Sequence, residues 1–188
     1  MAGNQVARTA HRTIIDRSRP PEEGNDRWIT PPDVIARLGH FDLDPCGAPG
    51  SLTADRLYLL ENGDDGLRDP WFGRIYLNPP YGRTMRVWVE KLVAHGRGTA
   101  LIPVATGTKL WQEVVLLEAS AVLLYRHRIK FIRRDGKDDD MVSPQASAIV
   151  AFGNRDAAAL SRAGLPGVFL DFRPWYLRML SKVVAWFL

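Results

Sequence analysis

The feature that most constrains this chain is Asn78-Pro79-Pro80-Tyr81, set at the end of the apolar run Arg74-Ile75-Tyr76-Leu77. A β-type run can lead into this tetrapeptide but cannot continue through it. Each proline lacks a backbone N–H and fixes its own φ, so a sheet ladder stops there. Gly82 follows, and a helical pattern opens at Thr84 or Arg86. Strand, rigid turn and helix in that order mark an α/β unit. In open α/β sheets the ligand crevice lies at the carboxyl ends of strands, where such a tetrapeptide falls. Taken alone, Pro-Pro after Asn is also ordinary turn chemistry.

The same alternation runs through the chain. Thr30-Pro31-Pro32-Asp33 reads as a helix start, with Thr30 as N-cap and Pro31 at the first helical position. That helix runs through Val34, Ile35 and Leu38 to Gly39. Strands are expected at Phe41 to Asp44, Leu57 to Leu60, Arg74 to Leu77, Thr99 to Val104, Ala121 to Tyr125, Arg128 to Ile132 and Ala146 to Phe152. Helices are expected from Thr84 or Arg86 to Gly96, from a Thr108 cap through Leu117, from an Asn154 cap to near Gly164, and from Pro174 to Leu188. The expected fold is α/β, a mostly parallel sheet with helices on its faces and an antiparallel edge at residues 145–152. Residues 1–25 are polar and read as a flexible arm, leaving 26–188 as one domain.

Composition narrows the classes. No uncharged apolar run is long enough to cross a bilayer. The single cysteine, Cys46, excludes an intramolecular disulfide and fits a reducing compartment. The opening residues lack the apolar core of a signal peptide, so a cytoplasmic location is expected. No Cys/His cluster has zinc spacing and no GxxxxGK loop is present, so neither a metal nor a phosphate-cradling loop is expected. The net charge of +4 is compatible with a polyanionic partner.

The chemistry that Asn78 to Tyr81 suits is transfer to an amino group on a flat ring. Such a nitrogen is a poor nucleophile, because its lone pair is delocalised. Two acceptors aimed at its N–H bonds draw the pair out of conjugation and stabilise the developing positive charge. The side-chain carbonyl of Asn78 supplies one acceptor and the backbone carbonyl of Pro79 the other. Proline removes a competing N–H and holds that carbonyl in place. Tyr81 offers a face for a flipped base, worth about 1–3 kcal/mol per stacked base.

Upstream, Asp44-Pro45-Cys46-Gly47-Ala48-Pro49-Gly50 closes the first strand with small residues that let the backbone approach a ligand. It suits the amino-acid end of S-adenosylmethionine, with Asp44 near the ammonium. A tight turn is the plain alternative. Asp64 lies twenty positions after Asp44, where an acid often meets ribose hydroxyls, and Asp65 adjoins it. Both also suit a turn.

Taken in order, Trp28-Ile29-Thr30-Pro31, Phe41 to Cys46, Asp65-Gly66-Leu67 with Trp71, Asn78 to Gly82, Trp88 with Lys91, and Arg128 to Phe131 resemble the phage N-6-adenine DNA methyltransferase family. The resemblance covers roughly residues 26–152. It implies a Rossmann-like, S-adenosylmethionine-dependent fold acting on adenine N6 in double-stranded DNA. By position, it puts Asn78, Pro79, Pro80 and Tyr81 at the target base. Thr30 and Pro31 fall at the methionine part of the donor, Trp28 is among the donor-binding residues, and Asp44, Pro45 and Cys46 line the pocket. Two departures stand out: Pro49 interrupts the donor loop, and the span from Asp44 to Asn78 is short for a full set of strands and helices.

Basic residues supply the nucleic-acid reading. Arg83 and Arg86, close to the tetrapeptide, suit a flipped nucleotide's phosphate, while Arg126, Arg128 and Lys130 suit the backbone. A charged, solvated edge strand is the alternative for the last three. The apolar segment from Pro174 suits core packing first and a homodimer contact second. Two other functions fit the tetrapeptide: methyl transfer to protein glutamine or RNA, and a non-catalytic DNA-binding module.

Overall fold

The computed structural model describes residues 29–132, 143 and 145–174. The expected arm at 1–25, Trp28, and the apolar segment after Pro174 lie outside them. Helix α1 spans Pro32–Leu38. Strands β1 (Leu43–Asp44) and β2 (Arg56–Leu57) follow, then a 3-10 turn at Leu60–Asn62. Strand β3 is Ile75–Leu77, α2 is Met85–His95 and β4 is Gly98–Pro103. A π-helical turn at Trp111–Val115 runs into the short α3, Leu116–Glu118. Then come β5 (Ala121–Tyr125), β6 (Ser147–Phe152), α4 (Asn154–Arg162) and β7 (Gly167–Asp171).

The seven strands form one sheet in the order β2-β1-β3-β4-β6-β5-β7. β1 to β4 pair in parallel; β6 runs against both β4 and β5, and β7 against β5. Five strands therefore share one direction. The sheet does end in an antiparallel edge, but that edge is β7; residues 145–152, expected there, form β6, two strands in from it. All six residues of β4 and all six of β6 are buried, since both sheet faces are covered. On one face α2 and the Trp111 turn pack Trp88, Leu92, Trp111 and Val115 onto Ile75, Leu77 and Val150. On the other, α1 and α4 pack Val34, Leu38 and Leu160 onto Tyr76, Leu101 and Ile149. The α2 pattern ends at Gly96, whose φ of 77° closes the helix in the left-handed region that glycine enters freely.

Several expectations need correction. Thr30 does not cap α1: Pro31 is the cap residue and Pro32 opens the helix, so the start lies one residue later. The Thr30 hydroxyl bonds Tyr76 instead, a stronger claim on a buried group than a helix end open to water. Asn154 begins α4 after Gly153 and makes no side-chain cap. Arg128 to Ile132 is not a ladder strand; Ile132 makes an isolated bridge to Ile29. β7 was not expected, because its Val168 and Leu170 face outward and Gly167 interrupts the apolar run. Between β1 and β3 the short span holds one strand and one 3-10 turn.

One buried ion pair ties the amino end of the sheet together. Arg74 Nε donates to Asp156 at 2.6 Å, and its Nη1 donates to the carbonyls of Leu38 and His40. Its guanidinium also lies 4.1 Å from the Phe41 ring centre. Burial raises the Asp156 carboxyl, and the bond from Arg74 opposes that shift. Arg74→Ala leaves a carboxylate that is 1% exposed without its cation. It is expected to cost about 3–5 kcal/mol by chemical denaturation; a loss below about 1 kcal/mol contradicts this role.

Candidate active site

β1 and β3 are neighbours, but the chain leaves them in opposite directions across the sheet: β1 leads outward to β2, and β3 leads to β4. Such a reversal opens a crevice at the carboxyl ends of the two strands. Asp44 is the last residue of β1, and Asn78 directly follows β3. Both border one cavity of about 540 Å³. Thr30 and Tyr76 also border it, as do Pro45 and Cys46 of the loop after β1. Asp64 and Asp65 line the stretch beyond β2, and Pro79, Pro80 and Tyr81 continue from Asn78. Residues carried by β1, by β3 and by the segment beyond β2 thus meet in one space. Pro31 does not line it; it caps α1 beside Thr30.

The electrostatics centre on Asp44. It is 3% exposed, and burial pushes its carboxyl up to about 6 from 3.8. Two bonds oppose that shift: the Thr53 hydroxyl donates to one oxygen and the Cys46 N–H to the other at 3.0 Å. Ser51 donates to Thr53 in turn at 3.2 Å. Asp64 accepts from the Leu59 N–H at 2.8 Å and from Arg56 at 3.0 Å. Asp65 is turned to its own loop, accepting from the N–H groups of Leu67 and Arg68. Pro79 is buried, whereas Tyr81 is 39% exposed at the mouth, with its phenol raised to about 12 by desolvation.

The wall at Asp65 and Gly66 is built by residues whose contacts the sequence did not show. Lys91 on α2 donates to the carbonyls of Gly66, Leu67 and Asp69 at 3.1, 2.9 and 2.7 Å. Its ammonium also lies 5.0 Å from the Trp71 ring centre, and Trp71 Nε1 donates to Gly66 at 2.7 Å. Trp71 stacks on Trp88 at 6.3 Å. Gly66 is wedged so closely that a methyl there would overlap the Pro45 carbonyl and lie 2.7 Å from the Trp88 ring. Trp88, Lys91, Gly66 and Trp71 were visible only as family matches. Tyr76 had one usable signal, its position two residues before Asn78 and so on the same strand face. Thr53 and Ser51 had none.

The basic residues divide. Arg86 is held by Glu90 at 2.7 Å and Glu113 at 2.6 Å, so a phosphate there competes with two carboxylates. Arg83 is exposed. Arg126 follows β5, which runs parallel to β1 and β3, so its segment leaves the sheet on the crevice edge. Arg126, Arg128 and Lys130 are exposed while Ile129 and Phe131 are buried, giving the expected alternation without a strand. Two backbone bonds between Ile29 and Ile132 bring this segment beside Thr30. His95 bonds the Gly73 carbonyl and does not line the crevice. Among the described residues, no group of acids, His or Cys could hold a metal ion, and no helix is long and apolar enough to cross a membrane.

Sheet order and crevice together define an α/β protein with a cavity at the carboxyl ends of β1 and β3. A model of the family described as DNA N-6-adenine-methyltransferase (Dam) matches residues 17–161, and the chain belongs to that family. No curated protein and no solved structure matches it.

Gly66→Ala forces Pro45 and Trp88 apart. A stability loss of about 1–3 kcal/mol, typical of overpacking, is expected by thermal unfolding; an unchanged midpoint contradicts the wedge.

Proposed function

We propose that this chain transfers a methyl group from S-adenosylmethionine to N6 of adenine at specific sites in double-stranded DNA. The observation that carries the proposal is the meeting of Asp44 and Asn78 on one crevice in a chain of this family. The cavity's volume lies within the range of small-molecule sites, and a switch point is where a Rossmann-like sheet takes a nucleotide-type ligand. Bound S-adenosylmethionine supplies an electrophilic methyl on a positively charged sulfur.

The residues present fit that group. The buried carboxylate of Asp44 takes an ammonium, and Asp64 and Asp65, which both line the crevice, are the acids that meet ribose hydroxyls. Trp28, Thr30, Pro31, Pro45 and Cys46 are assigned to the donor by family position. Asn78 and Pro79 accept from the two N–H bonds of the target amino group, and Pro80 keeps the turn rigid. Charge that develops on nitrogen is met by two fixed dipoles, so no strong base has to lie in the crevice. Tyr81, exposed at the mouth, stacks the base. The amino group is paired inside a duplex, so the base must be flipped out. Arg83 is the better placed of the two nearby arginines to hold its phosphate; Arg126, Arg128 and Lys130 meet the backbone along the same edge.

Asn78→Ala removes one acceptor and is expected to lower single-turnover transfer of labelled methyl to duplex DNA by about 10²–10³-fold. Its donor affinity by calorimetry stays within about threefold of wild type. Wild-type turnover by this variant would sink the acceptor role.

Asp44 makes donor binding pH-dependent. An ammonium needs the carboxylate, so affinity for S-adenosylmethionine is expected to rise as pH passes upward through about 6 and then level off. Asp44→Asn flattens that profile; an equal slope in both proteins contradicts the assignment. Without donor the stability trend is the reverse. The native state holds its proton to a higher pH than the unfolded chain, so the contribution is full below about 4 and lost as pH rises through about 6.

A further inference from the structure

Tyr76 has no exposed surface, yet it borders the crevice. Its hydroxyl lies 2.7 Å from that of Thr30, which is 2% exposed and 46 positions away. Its ring rests on Phe41, with centres 5.3 Å apart and planes at 59°, so packing on the core restrains the phenol. Burial, the largest cause, raises the phenol far above its ordinary range, so it stays protonated at any working pH. Thr30 is fixed from a second side, because the preceding Ile29 pairs through both N–H and C=O with Ile132.

We infer that Tyr76 is a positioning residue for the donor's amino-acid end, its phenol holding the Thr30 hydroxyl on the crevice wall with that hydroxyl's proton directed to the ligand carboxylate. This rests on S-adenosylmethionine as the crevice ligand. A hydroxyl carries one proton and rotates to suit its neighbours. When Tyr76 donates to Thr30 Oγ1, the Thr30 proton is left over for an acceptor in the cavity. The carboxylate of an amino acid is such an acceptor, while Asp44 faces its ammonium. β3 would then set both halves of the reaction: Tyr76 places the donor through Thr30, and Asn78, two residues on, holds the base.

The test compares two ligands by calorimetry. S-adenosylmethionine carries the amino-acid end, and 5′-deoxy-5′-methylthioadenosine lacks it. Tyr76→Phe keeps the ring and its packing. It is expected to weaken S-adenosylmethionine about tenfold, the worth of one hydrogen bond, and to leave methylthioadenosine unchanged. Thr30→Val should show the same split and Thr30→Ser should not, and the Tyr76→Phe/Thr30→Val double variant should be no weaker than either single one. Equal weakening of both ligands would mean a merely structural role and would overturn the inference, as would wild-type affinity for both. If wild-type protein binds methylthioadenosine but not S-adenosylmethionine, the amino-acid end is not bound here and the inference fails. If it binds neither, the donor assignment of the crevice fails with it.

Discussion

The crevice depends on a very short parallel pairing, Leu43 of β1 beside Ile75 of β3. Without it Asp44 and Asn78 would not face one space. So short a ladder carries few hydrogen bonds of its own, and side chains at its amino end reinforce it. The N–H groups of Asp42 and Leu43 donate to the Arg74 carbonyl, and the Arg74 N–H returns to the Asp42 carboxylate. The Arg74 guanidinium then joins α1's end to Asp156 on α4. A structural cation at one end of β3 thus supports the polar tetrapeptide at the other. Burial of an ion pair is costly, and the bonds to two backbone carbonyls as well as Asp156 offset part of that cost, while Arg74 Nη2 and Asp156 Oδ2 stay buried without a hydrogen bond.

The carboxyl end is organised differently. There, polar groups are buried beside open space rather than saturated by ion pairs. Asp44 keeps two local donors, but burial outweighs them and its carboxyl sits near 6. A group held so close to neutrality responds strongly to a cation placed beside it. The wall at Asp65 and Gly66 is tied down by Lys91, whose ammonium meets three carbonyls and a tryptophan face. Charge at the rim follows a third pattern, exposed on the segment that leaves β5 and anchored inward by Ile129 and Phe131.

Much of this was legible in the residues, for physical reasons. Short, mainly apolar runs marked β1, β3, β4, β5 and β6, because strands covered on both faces are built mostly from apolar side chains. Asn-Pro-Pro-Tyr was legible because proline ends a ladder wherever it stands. The position of Asp44 followed from its place at the end of a strand. What could not be read depended on partners distant in sequence. Thr30 looked like a helix cap because its competing partner, Tyr76, is 46 positions away. Arg86 looked free for phosphate because Glu113 comes from another element. β7 escaped because an edge strand buries only alternate residues, and its exposed Val168 and Leu170 blur the pattern. The inward place of β6 depends on pairing order, which local periodicity does not encode.

The function proposed for this crevice is delivery of a methyl group to adenine N6 in DNA. Its most direct test is mass spectrometry of nucleosides from duplex DNA incubated with the protein and isotopically labelled S-adenosylmethionine. Labelled N6-methyladenine is expected, formed about 10²–10³-fold more slowly when Asn78 is replaced by Ala. Labelled N4-methylcytosine alone, or DNA left unmodified while RNA or protein takes up the label, would contradict it.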